Sequence, residues 1–165
     1  MGKGRFAAHP PAPVYEYRRA GFSVSTDPER LDLDVIHGFL CHSYWSPGIP
    51  REAVAAAVRN SLCFGLYAQQ EQIGFARVVT DYVTVAYLAD VFVLSNYRGQ
   101  GLATWLVNCV MECPCLQPIR NFLLATRDAH GLYEKVGFEG LSNPERWMIR
   151  RQTPAWHQPD LIVET

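Results

Sequence analysis

Between residues 83 and 111 the hydrophobic pattern changes period once, across a turn that carries two glycines. Residues 83–94 form a run of β-branched, aromatic and aliphatic side chains that is apolar on both faces, and its second half holds one charge, Asp90. A strand of that kind belongs at the centre of a sheet covered on each side. Beyond Arg98-Gly99-Gln100-Gly101 the apolar positions become Leu102, Trp105, Leu106, Cys109 and Val110, which is the i, i+3, i+4, i+7, i+8 spacing of an amphipathic helix. The chain is therefore expected to run a buried strand through a glycine turn into a helix.

Two further apolar runs, 62–68 and 73–80, precede this segment. Gln69-Gln70-Glu71 separates the first from the second and Asp81-Tyr82 the second from the third, so the three are expected to form an antiparallel meander. Upstream, residues 21–25 alternate as a strand and stop at Thr26-Asp27-Pro28. Leu33, Ile36, Phe39 and Leu40 share one helical face, ended by the loop Tyr44-Trp45-Ser46-Pro47-Gly48, and Pro50 opens a second helix that runs through Val58. Downstream, Pro114 and Pro118 end the long helix, residues 122–125 supply a short strand, and Asp128 caps a compact helix that Gly137 terminates. Residues 138–141 and 147–149 are expected as two last strands. With no internal repeat or interior linker, residues 15–165 are read as a single domain behind a flexible arm, 1–14, rich in Gly, Pro and Ala. The Pro-containing stretch 153–159 is expected to be similarly loose, with Trp156 available to dock on the core.

Composition removes several functions. Fifteen Lys+Arg against sixteen Asp+Glu give a formal charge of −1, which leaves no cationic footprint for nucleic acid. No apolar run reaches the roughly 18 to 20 residues of a bilayer span, and the first residues lack the apolar region of a secretory signal, so neither membrane nor export is expected and the chain reads as cytoplasmic. Five cysteines at irregular spacing, Cys41, Cys63, Cys109, Cys113 and Cys115, look like reduced thiols. The last three lack a nearby fourth Cys or His and enclose Pro114, so no metal is expected.

The segment Val91-Phe92-Val93-Leu94-Ser95-Asn96-Tyr97-Arg98-Gly99-Gln100-Gly101-Leu102-Ala103-Thr104 has the makings of an anion site. Glycines let the backbone approach a ligand, and the free N–H groups and positive dipole end of the helix start suit a pyrophosphate. An NTPase loop would require a lysine here, and there is none. A dinucleotide fold would place a third small residue at Thr104 and an acid near Asn121.

Arg98-Gly99-Gln100-Gly101-Leu102-Ala103 fits R/Q-x-x-G-x-G/A and so resembles the acetyl-CoA signature of the GCN5-related N-acetyltransferase (GNAT) superfamily. Gly131-Leu132-Tyr133-Glu134-Lys135-Val136-Gly137-Phe138 resembles its LYEKxGF segment, in the expected order, and the likeness covers about residues 20 to 150. The resemblance implies an α/β (α+β) fold: a mixed, mostly antiparallel sheet of about seven strands, splayed in the middle and flanked by about four helices. It implies acetyl-CoA as co-substrate, with main-chain groups of Val91, Phe92 and Val93 binding the pantetheine arm as a pseudo-strand. Arg98, Gly99, Gln100, Gly101, Leu102, Ala103 and Thr104 would hold the pyrophosphate. The implied reaction is direct acetyl transfer to a primary amine of a small molecule in a ternary complex, with the thioester carbonyl polarised near Phe92 or Val93.

The resemblance makes Tyr133 the proton donor to the departing thiolate, whose conjugate acid has a pKa of ~8.5. The base is less defined, because the glutamate of polyamine acetyltransferases falls on Ala89 and other acid positions fall on Tyr87. Asp90 is the nearest carboxylate, either as amine anchor or water-mediated base, or turned by strand parity toward an arginine. His130 could relay protons beside Tyr133, but a solvent-facing or capping role is favoured. Tyr44 and Trp45 fall where the family's acceptor pocket lies and would form an aromatic wall or simply pack. A CoA-binding sensor without chemistry, or a protein N-acetyltransferase, are the other readings, and a homodimer is left open because relatives commonly form dimers.

Overall fold

Short turns with left-handed residues order most of the sheet. In this computed structural model, which describes residues 13–153, Ala20 and Gly21 both take positive φ (43° and 85°). They close a two-residue hairpin between β1 (Glu16–Arg19) and β2 (Phe22–Ser25). Gln69, at φ 55°, begins the equally tight connection between β3 (Leu62–Ala68) and β4 (Glu71–Thr80). The Asp81 carboxylate accepts hydrogen bonds from the backbone N–H groups of Val83, Thr84 and Val85, and this turns the chain into β5 (Val85–Val93). The result is a six-stranded sheet in sequential order, antiparallel from β1 to β5, with β6 (Asn121–Leu123) added in parallel at the β5 edge.

Helices cover both faces, as the doubly apolar strands require. On one side α1 (Leu33–Leu40) and α2 (Arg51–Arg59) pack Ile36, Leu40 and Val54 against Cys63, Phe75 and Phe92. On the other, α3 (Leu102–Met111) sets Leu102, Leu106, Val107 and Val110 against Phe64, Leu66, Ala76, Val78 and Leu88. Alternate residues of β3 and β4 thus belong to different cores. The Asp32 side chain caps α1 by accepting from the N–H groups of Asp34 and Val35. Buried Gln72 accepts from the Asp32 N–H at 2.7 Å and donates to the Gly74 carbonyl at 3.2 Å, so its polar atoms are matched.

The architecture agrees with the expected mixed sheet and helices, and the details differ at the ends. β1 was not expected: its four residues are mostly exposed, so the strand carries little apolar alternation. Residues 138–141 and 147–149 are not strands, and among the described residues the sheet has six strands, close to the expected seven. They have no strand to pair with beyond three-residue β6, and Trp147, Met148 and Ile149 are left exposed. Phe138 instead packs edge-on against Phe122 and Tyr133. The compact helix α4 (His130–Glu134) is not capped by Asp128: Ala129 occupies the cap, its N–H bound to Thr126 Oγ1, while Asp128 pairs with Arg127. The expected arm falls almost entirely outside the described residues, as does Trp156.

Burial pushes the thiols of Cys63, Cys109 and Cys113 up to about 12. A raised pKa means that the folded state holds the proton. The associated stability is complete below the ordinary thiol value of 9.0 and is lost as pH climbs toward about 12. Titration of the native protein with a thiol reagent at pH 8 is expected to show two faster equivalents, Cys41 and Cys115, which are partly exposed, and three that react only on unfolding. The melting temperature should fall as pH passes 9.0.

Candidate active site

The site begins where two parallel strands part. β5 and β6 pair only at Val85 with Asn121, Ala86 with Phe122 and Tyr87 with Leu123, while β5 continues to Val93 against β4. The outer edge of residues 88–93 therefore faces a gap, where backbone donors and acceptors need another partner. Within this stretch Phe75 pairs with Phe92 but Arg77 with Ala89, so Ala76 faces two residues, Asp90 and Val91. This is a β-bulge, and it places Asp90 at φ 54°. Gly74 admits it: a Cβ there would lie 2.7 Å from the Phe92 carbonyl oxygen.

Side chains hold the bulge in place. Asp90 Oδ2 accepts from Arg77 Nε at 2.6 Å, Asp90 Oδ1 accepts from Trp45 Nε1 at 3.2 Å, and Arg77 Nη1 donates to Ser61 Oγ at 3.1 Å. The Arg77 and Asp90 side chains are only 17% and 10% exposed. Asp90 thus lies on the cleft wall and also faces an arginine; each carboxylate oxygen already accepts a hydrogen bond.

Beside the bulge opens a cleft of about 740 Å³. Tyr44 and Trp45, from the loop between α1 and α2, stand edge to face at 4.9 Å and form one wall. Tyr87 and Asp90 on β5 and Tyr133 on α4 complete the lining, together with Arg127, whose guanidinium lies over the Tyr44 ring. Tyr133 also borders a smaller hollow of about 290 Å³ between β6 and α4. Burial first, then the nearby Tyr44 and Tyr87, raise its pKa above the ordinary 10.0. His130 is exposed and lines only the smaller hollow.

At the end of β5 the glycine turn lies open. Gly99 and Gly101 take φ 78° and 72°, with no atom within 4 Å of where a Cβ would stand. Gly101 caps α3 without any side-chain hydrogen bond. Among the described residues, the N–H groups of residues 99–104 have no hydrogen-bond acceptor. An uncapped helix start behind two left-handed glycines fits a pyrophosphate by both hydrogen bonding and dipole. Arg98 Nε donates to the Val93 carbonyl at 3.0 Å, tying the turn to the strand. Phe92, Val93 and Leu102 have buried side chains, leaving their backbones for any ligand, whereas Gln100 is exposed and Ala103 and Thr104 are partly so. Leu94 N–H donates to Ile73 O within the ladder, so strand alternation turns the N–H of Val93 toward the gap.

Of the expected site residues, Tyr44, Trp45, Asp90, Val91 and Tyr133 line one cleft, while Phe92, Val93 and the glycine turn 98–104 follow along the same strand and line neither hollow. Arg77, Tyr87, Arg127 and Arg151 line the same cleft and were not anticipated as site residues. Arg77 had a readable signal, being the one charge in the apolar run 73–80. Such a charge requires a partner, and the next run offers only Asp90.

Comparison with known proteins identifies the family of the fold. The family profile described as an acetyltransferase (GNAT) domain matches residues 59–140. A Gibberella zeae protein described as an acetyltransferase is 32% identical over 140 residues, 72% of this chain and 79% of that protein. Histone acetyltransferase TAP1 of Glycine max is 30% identical over 137 residues, which span 75% of this chain and 57% of that protein. A solved structure described as a GNAT-family acetyltransferase from Xanthomonas campestris pv. campestris matches with a TM-score of 0.79 at 43% identity, covering 83% of this chain and 97% of that one. With the splayed sheet, the glycine turn before α3 and relatives matched over most of their length, the chain belongs to the GNAT acetyltransferase family.

Proposed function

We propose that this chain transfers the acetyl group of acetyl-CoA to a primary amine of a small molecule, by direct attack in a ternary complex. The observation that supports this reading is an open glycine turn with free backbone N–H groups at the end of β5, the same strand whose bulge borders an aromatic cleft lined by Tyr133. Acetyl-CoA would supply the activated acyl group and a thiolate leaving group. Residues 99–104 would bind its pyrophosphate through backbone N–H groups, and the N–H of Val93 would donate to the thioester carbonyl. Tyr133, which burial keeps protonated, would donate to the sulfur as the bond breaks. Tyr44 and Trp45 would orient the acceptor. Asp90, engaged by Arg77 and Trp45, would hold the bulge that aims the strand.

Two measurements test this. Calorimetry should detect acetyl-CoA binding, and thiol release from acetyl-CoA should rise when an amine acceptor is added. Binding without turnover across amines and peptides would instead favour a CoA-binding sensor. Gly101→Val is expected to weaken acetyl-CoA binding about tenfold or more, because a β-branched residue at φ 72° strains the cap. Unchanged affinity would remove the turn from the binding site. Protein acetylation is the second reading, favoured by the relative named as a histone acetyltransferase. Against it stands the cleft's volume of about 740 Å³ beside Tyr44 and Trp45, which is in the usual range for a small-molecule site.

A further inference from the structure

We propose that the acceptor is an amine that also carries an anionic group, a carboxylate or a phosphate, and that Arg127 and Arg151 seat that group in the cleft. This rests on the acetyltransferase reading above and specifies its acceptor.

Three guanidinium groups line the cleft, Arg77, Arg127 and Arg151, against two carboxylates, Asp90 and Asp128. The first cation is committed, because Arg77 is closed on Asp90 at 2.6 Å with little solvent access to either. The second is fixed in place without being neutralised. The Arg127 guanidinium carbon lies 3.8 Å from the centre of the Tyr44 ring, and the Arg127 backbone N–H donates to the Tyr44 hydroxyl at 3.3 Å. Its contact with Asp128 is long, 3.5 Å, between side chains 66% and 63% exposed, and such a pair contributes little. Arg151 has neither ion pair nor hydrogen bond among the described residues.

The cleft therefore presents two guanidinium groups with donors to spare and no uncommitted buried carboxylate. A polyamine would bring further positive charge to a positive wall. A carboxylate or phosphate matches the planar donor fork, which accepts two oxygens at once.

Matched acceptor pairs test the assignment after acetyl-CoA binding has been confirmed by calorimetry. Thiol release is compared for phenylalanine against phenethylamine, for phosphoethanolamine against ethanolamine, and for spermidine. At least one anion-bearing member is expected to exceed its partner lacking the anion about tenfold or more in kcat/KM, and the pair that responds identifies carboxylate or phosphate. Arg127→Gln and Arg151→Gln should each shrink that ratio severalfold, chiefly through KM, and added salt should shrink it too. Equal turnover within both pairs or a preference for spermidine would overturn the anionic assignment, whereas silence from every acceptor in a protein that binds acetyl-CoA would favour the sensor and remove both readings. Failure to bind acetyl-CoA at all would instead strike the acetyltransferase reading, and the acceptor assignment would fall with it.

Discussion

Tyr133→Phe is expected to lower kcat about 100-fold while leaving acetyl-CoA affinity within about twofold. The hydroxyl forms no hydrogen bond among the described residues, and the ring packs edge-on against Phe138 at 5.9 Å, a contact that phenylalanine preserves. The variant thus removes one proton donor and little else. A packing role would leave kcat unchanged, so single-turnover thiol release with a competent acceptor separates the two. The pH dependence adds a second check. Because the pKa of Tyr133 is raised above 10.0, the phenol remains protonated throughout the neutral and mildly alkaline range. Loss of its proton should therefore impose no alkaline limb on kcat below 10.0. Its contribution to stability has the same sign, intact below that value and lost only as pH rises through the higher folded one.

Asp90→Ala should be the most destabilising substitution in the site, by about 3–5 kcal/mol, because it leaves the Arg77 guanidinium buried without its counter-ion. It also removes the side chain that accepts from Trp45 and supports a residue at φ 54°. Asp90→Asn retains an acceptor and tolerates the left-handed backbone, so it should cost less. Urea unfolding of Asp90→Asn, Arg77→Met and the double variant gives a cycle in which the double variant should lose less than the sum of the two. Additivity would mean that the ion pair does not hold the bulge. The same Asn variant decides the chemistry. If Asp90 is a water-mediated base, the acid limb of the pH–rate profile disappears. If it holds the strand, kcat falls while the limb remains.

Much of this framework was legible in the chain itself. The runs that became β3, β4 and β5, and the stripe that became α3, were readable because hydrophobic period is a local property that survives packing. Gly99 and Gly101 were readable for the same reason: a left-handed φ is a demand on one residue. The edge strand β1 was hidden because an exposed strand has no need of apolar alternation, and Ala20-Gly21 is a weak turn signal. Residues 138–141 carry strand-like side chains, yet β6 offers them no ladder, so backbone pairing and composition point in different directions.

The sequence alone determined the central strand, the turn and the helix behind it, since each depends on side chains a few positions apart. Only the tertiary structure decided what faces the reacting atoms. Arg77 meets Asp90 across 13 positions, Trp45 meets Asp90 across 45, and Arg127 meets Tyr44 across 83. No local period encodes such meetings. They follow from where the bulge turns β5 and where β6 leaves it, and the charge that an acceptor encounters is set there.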